Sequence, residues 1–293
     1  MMMARTIDFG TPVIDALRLC YVAEPSLLKE LGSLNLNSCS AIDSYIIYRV
    51  PGDRFEFFFT VCFAENGSRT ELATLKFGRY GAAGSNYVYY QIRNEVLFDR
   101  SLFDRALLLP DLLGLLFNNF TAVDIAMDFR KNVSAIIKRM MRNDKITTIL
   151  NGRAVKDRKE LMKGVTFDYS SSLSRLHCPT ITLKQAKAAR NKTKGVTVQS
   201  YDKKAEIETT SGKQYILDRY GRPRFLFRLE VRLSYRDLQD YFRRIGQPQT
   251  IAALFDPNLL ADMFYYNLSA VLRFTKGRKP LPWKGVLKRN GKI

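Results

Sequence analysis

The 293-residue sequence predicts an α+β protein, a mostly antiparallel central sheet with helices packed on one face and catalytic groups on the other. Three observations predict it. The first hundred residues read as short strands separated by turn signals, the pattern of antiparallel hairpins. Later segments space their apolar residues at helical intervals between further strands. Finally, three strand-like segments far apart in the chain, Thr121 to Phe129, Val196 to Glu206 and Phe225 to Leu233, each line up functional side chains on one face, because successive side chains on a strand point to opposite sides.

In chain order, Val13 to Val22 reads as a strand and Ser26 to Leu31 as a short helix, followed by a polar loop. Tyr45 to Val50 and Phe55 to Ala64 flank Pro51-Gly52-Asp53, a hairpin signal. Thr70 to Tyr80 is the next strand. The glycines of the GRYGAAGS stretch that follows lack the Lys-Ser/Thr of a phosphate-binding loop and read as a turn. Tyr87 to Phe98 is predicted as a strand, Ser101 to Asn118 as a helix interrupted near Pro110, and Asn132 to Met141 as a helix with a basic end. Short strands are expected at 145–150, 164–169 and 179–183, helices at Tyr235 to Ile245 and within Leu254 to Phe274. Grouped into domains, the reading is a catalytic α+β domain over 1–250, a C-terminal helical segment over 251–275 and a basic, mobile tail over 276–293.

Charge narrows the function. Lys and Arg number 47 against 28 Asp and Glu, a formal net charge of +19, which repels itself unless a polyanion is near and so points to nucleic acid. The plainer alternative is a merely basic protein. A single histidine, His177, rules out two-histidine metal clusters, and four cysteines without a CxxC pair argue against structural zinc. No apolar run of about 18 residues is present and the opening MMMARTIDFG lacks a secretory core, so no membrane partner is expected and the location predicted is cytoplasmic.

The three segments carry the chemistry. On one strand Asp124 and Asp128 share a face; on another Gln199, Tyr201 and Lys203 do; on the third Arg228, Glu230 and Arg232 do. A phenol, with a pKa of about 10, is a poor nucleophile at neutral pH, and carboxylates that hold a divalent cation lower that barrier by neutralising charge on a phosphate. Mg²⁺ accepts hard oxygen ligands, one to three of them from protein. The expected ligands are Asp124, Asp128 and Glu230, with Glu206 as a fourth; Tyr201 is the expected nucleophile, Lys203 steadies it, and Arg228 and Arg232 hold phosphates. The acid-free run KQAKAARNKTK, with Lys184, Lys187, Arg190, Lys192 and Lys194, is expected to contact phosphates. Each segment also has a structural alternative, a solvated face or a ladder of cross-strand ion pairs.

The segments AVDIAMD at 122–128, SYDKKAE at 200–206 and FRLEVRL at 227–233 resemble, in order and spacing, three motifs of the replication initiation factor family, the rolling-circle initiators and related relaxases of plasmids, integrative elements and filamentous phages. The resemblance implies that Tyr201 nicks one strand of an origin and stays on its 5′ end as a phosphotyrosine. It further implies that Asp124, Glu206 and Glu230 bind Mg²⁺ or Mn²⁺, with Asp128 as a further acid, and that Lys203 and Arg228 support them. Single-stranded or hairpin origin DNA is the implied partner in a bacterial cytoplasm, with a host helicase and a homodimer mate as further partners. Conjugative relaxase and non-catalytic DNA-binding initiator are the rival readings.

Overall fold

The computed structural model describes residues 8–52, 54–79, 85–155, 157, 165–168, 180–184 and 195–288. The protein is α+β with a mostly antiparallel sheet, as its alternating segments predict. It divides into two compact units, one from Ile14–Val123 and the other from residues 1–13 with 124–293. The division runs inside two strands, so a reading of 1–250 as one domain misses it: the boundaries fall in continuous apolar alternation, with no linker composition to mark them.

The unit Ile14–Val123 is built on β1 (Pro12–Val22), α1 (Pro25–Ser33), β2 (Cys39–Ile42), β3 (Tyr45–Val50), β4 (Phe55–Glu65), β5 (Ser68–Arg79), β6 (Tyr87–Ile92), α2 (Arg100–Leu112) and the start of β7 (Leu116–Phe129). Its strands follow the order β7-β1-β6-β5-β4-β3-β2. The β4–β5 hairpin turns at Asn66-Gly67, where both residues have positive φ (52° and 76°), the backbone that a two-residue turn needs to match strand twist. One face is apolar and packs on α2: the hydroxyls of Tyr45 and Tyr90 donate to the carbonyls of Arg105 and Ala106, each at 2.8 Å. Burial pushes both phenols up in pKa. The predicted strand over 87–98 stops at Ile92 and continues as a 3₁₀ turn, Val96–Phe98, and the predicted helix ends at Leu112, with Pro110 in its last turn.

The other unit carries the rest of β7, then α3 (Val133–Arg142), β8 (Thr147–Leu150), β9 (Arg153–Ala154), β10 (Val165–Asp168), β11 (Thr180–Lys184), β12 (Thr197–Asp202), α4 (Lys203–Glu206), a π-helical turn (Ile207–Ser211), α5 (Gln214–Arg219), β13 (Phe227–Ser234), α6 (Tyr235–Ile245), α7 (Ile251–Leu254), α8 (Pro257–Val271), β14 (Leu272–Lys276), β15 (Lys279–Leu281) and α9 (Trp283–Lys288). Here the order is β10-β11-β12-β13-β7. Helices α3 and α8 pack on one face of it. Ser134 Oγ of α3 lies 2.9 Å from Ser200 Oγ, and Tyr265 Oη of α8 reaches Met127 Sδ at 3.9 Å. Since Ser200 and Tyr201 point to opposite sides, these two helices lie against the face away from Tyr201.

A second sheet, order β15-β14-β8-β9, follows α8. Residues 276–288 are therefore not a mobile tail. Trp283 is 4% exposed, its indole N–H donates to the Leu272 carbonyl at 2.9 Å, and its ring meets Phe274 at 5.5 Å. Val286 and Leu287 bury beside it. The basic composition concealed three apolar anchors at helical spacing.

Candidate functional site

The antiparallel register of β12 on β13 sets Thr197 against Arg232, Gln199 against Glu230 and Tyr201 against Arg228. Strand β7 lies on the other side of β13, and its Asp124 and Asp128 face the same guanidinium groups. Six of the residues predicted from alternation, Asp124, Asp128, Tyr201, Arg228, Glu230 and Arg232, thus share one face, and they resolve into an open end and a closed end.

At the open end Glu230 is the hub. Its Oε2 accepts the Tyr201 hydroxyl at 2.9 Å, and its Oε1 accepts Arg232 Nε at 2.7 Å. The same Arg232 nitrogen lies 3.7 Å from Asp124 Oδ2. Burial alone would lower the Arg232 pKa; Glu230, its hydrogen bond and Asp124 outweigh that and hold it raised. The Arg232 side chain is 49% exposed while that of Glu230 is 2% exposed, so the guanidinium is the half of this pair that meets solvent. Tyr201 is half-buried.

The closed end is sealed. Arg228 donates Nε and Nη2 to the two oxygens of Asp128 at 2.7 and 2.8 Å, and both side chains are 0% exposed. The segment between β12 and β13 forms an apolar cluster of Ile207, Ile216, Leu217, Tyr220 and Leu226. Phe9 stacks on Tyr220 with ring centroids 4.7 Å apart, and the Arg130 guanidinium lies 4.6 Å from the Phe9 ring. Burial first, then the nearby Asp128 carboxylate, raises the Tyr220 phenol. Asp128 therefore serves as counter-ion to Arg228, and Arg228 offers no nitrogen to solvent. Tyr220 itself is 7% exposed.

Lys203 reaches the site by a route that alternation does not give. The strand stops at Asp202, whose carboxylate accepts the Ala205 N–H at 3.0 Å and caps α4. Lys203 opens that helix, buried at 2% exposure, with Nζ 2.8 Å from Glu206 Oε2 and 5.7 Å from the centre of the Tyr201 ring. Glu206 is thus the ion-pair partner of Lys203. The signal for this was present in the sequence, an Asp three residues before Ala205-Glu206. Burial raises the Asp202 pKa against the pull of its two backbone hydrogen bonds.

For a divalent ion the donor set fits in part. Asp124 and Glu230 converge on one cation position, held here by Arg232; Asp128 and Glu206 are engaged with Arg228 and Lys203. Among the described residues no three acidic, cysteine or histidine side chains gather as a metal group. Of the predicted phosphate-contacting run, Lys184 ends β11, and Lys187, Arg190, Lys192 and Lys194 lie outside the described residues. No described helix is long and apolar enough to cross a membrane.

Comparison with protein-family models, curated proteins and solved structures finds no match to this chain.

Proposed function

We propose that the protein nicks and rejoins single-stranded origin DNA as a rolling-circle replication initiator, with Tyr201 as nucleophile. The observation that carries this reading is the hydrogen bond from the Tyr201 hydroxyl to the buried Glu230 carboxylate, on a sheet face that also presents the half-exposed Arg232. A phenol that donates to a carboxylate has its general base in place. In the step proposed, Tyr201 Oη attacks phosphorus as its proton passes to Glu230. The new O–P bond leaves a 5′-phosphotyrosine, and the departing 3′ oxygen takes the proton back. Rejoining is the reverse and needs no nucleotide cofactor, because the phosphodiester energy is kept in the tyrosine ester.

Arg232 would turn from Glu230 and Asp124 to the scissile phosphate, where a guanidinium matches two phosphate oxygens. The ammonium of Lys203 beside the Tyr201 ring favours the tyrosinate as it forms. Asp124 and Glu230 would hold Mg²⁺ or Mn²⁺, which when bound supplies Lewis-acid neutralisation of the phosphate charge.

The test is a labelled origin hairpin incubated with the purified protein and Mg²⁺. A covalent adduct that resists denaturation is expected, and Tyr201→Phe should abolish it. An adduct of undiminished yield from that variant would remove Tyr201 from the mechanism and the reading with it.

A further inference from the structure

The ordered C-terminal sheet carries a second charged feature that the nicking site does not use. After Asp262 the sequence contains no acidic residue. The β14–β15 hairpin sets Lys276 directly opposite Lys279 and turns through Gly277, at φ +58°, and Arg278. Arg273, Lys276, Arg278 and Lys279 are all exposed, and no ion pair among the described residues involves them. Like charges in direct register weaken a hairpin, so folding gives no reason for this arrangement. Protection of an edge strand would account for Lys279 and Pro280 on β15. It does not account for Lys276 on the inner strand, nor for Arg278 at the tip.

We infer that this hairpin is a binding surface for the phosphate backbone of double-stranded DNA. The cations match a polyanion, and the hairpin is held rigid from beneath by Phe274 and Trp283, so binding has little further ordering to impose. Duplex is favoured over single strand because the aromatic rings of this sheet face inward. Phe274 and Trp283 are 1% and 4% exposed, so neither ring offers a face on which an unpaired base could stack. Contacts of this kind read charge and spacing without reading sequence. The acid nearest in the chain, Asp262, is engaged with Arg244 and the Tyr241 hydroxyl. The inference does not depend on the nicking reading.

The experiment uses Tyr201→Phe protein throughout, so no covalent adduct contributes, and measures fluorescence anisotropy with a 20-bp duplex and its single strand across a salt series. Lys276→Gln, Arg278→Gln and Lys279→Gln together should weaken duplex binding about tenfold or more. The slope of log affinity against log salt should flatten by roughly 0.9 for each phosphate that is no longer neutralised. Single-strand binding should fall much less. Lys276→Arg with Lys279→Arg should keep both affinity and slope. The inference fails if the glutamine variant keeps the duplex slope, if it weakens on duplex and single strand equally, or if the arginine variant weakens as much as the glutamine one. It fails too if the glutamine variant is impaired only in binding phosphatidylserine vesicles.

Discussion

The two units differ most in charge. Residues 1–13 and 124–293 hold 37 Lys and Arg against 16 Asp and Glu, whereas Ile14–Val123 holds 10 against 12. The whole-chain figure of +19 is therefore an average over a strongly cationic unit and one close to neutral. Long-range attraction of a polyanion belongs to the cationic unit, which also contains Tyr201, Glu230 and the β14–β15 hairpin. The other unit spends its sequence on aromatic packing: Phe57, Phe59 and Phe77 stack under its sheet at 4.7 and 5.7 Å.

The contrast is broken most directly at the proposed general base. Glu230→Gln should cut the rate of adduct formation by roughly 10²- to 10⁴-fold, while Tyr89→Phe on the neutral unit's sheet should leave it unchanged. Single-turnover gel assays check both, and a Glu230→Gln protein of normal rate would strip that carboxylate of its role.

Stability gives the next contrast. Arg228→Leu leaves Asp128 charged and unpaired in a site with no exposure, and should cost about 3–5 kcal/mol. Replacing both partners together with Leu and Met should cost far less, since the desolvation penalty goes with them. Urea unfolding followed by fluorescence measures the difference. Equal losses from the single and double changes would mean that the two side chains do not pair in solution.

The smallest effect concerns acid. The folded pKa of Asp202 is raised, mainly by burial, so the folded state binds the proton more tightly than the unfolded chain does. Its contribution is fully present below the unfolded value near 3.9 and is lost as pH rises through the folded value. Asp202→Asn keeps an N-capping oxygen and removes the titration. Its stability relative to the parent should therefore improve from pH 3 to pH 6, by a fraction of the roughly 1.4 kcal/mol that one pKa unit carries. Melting temperatures at those two pH values would show it, and a constant difference would count against a raised Asp202.

Much of the fold was legible because its periodicities were undisturbed. Tyr235–Ile245 matches its predicted span, with Ser234 and Asp237 forming a capping box and Gly246 at φ +65° closing the last turn. The hairpin over 45–64 and the helix after Asn132 follow for similar reasons. What escaped was set by tertiary partners. Alternation placed Lys203 beside Tyr201 on a strand, and the lysine does approach that ring, but from a helix that Asp202 starts. Alternation also treated Asp124 and Asp128 as equivalent. They differ because Tyr220, Leu226 and Phe9, remote in sequence from both, cover one end of the face and leave the other open. The strand at 272–276 was hidden by a run of apolar residues continuous with α8.

The pairing of Arg228 with Asp128 has a consequence for assembly. Their strands are neighbours, and a slip of one residue would turn the guanidinium toward the hydrocarbon beneath the sheet and abandon the carboxylate above it. Misaligned chains are thus penalised before any substrate is met. What the pair fixes is the register of β13 on β7, and with it the place of Glu230 and Arg232 beside Asp124.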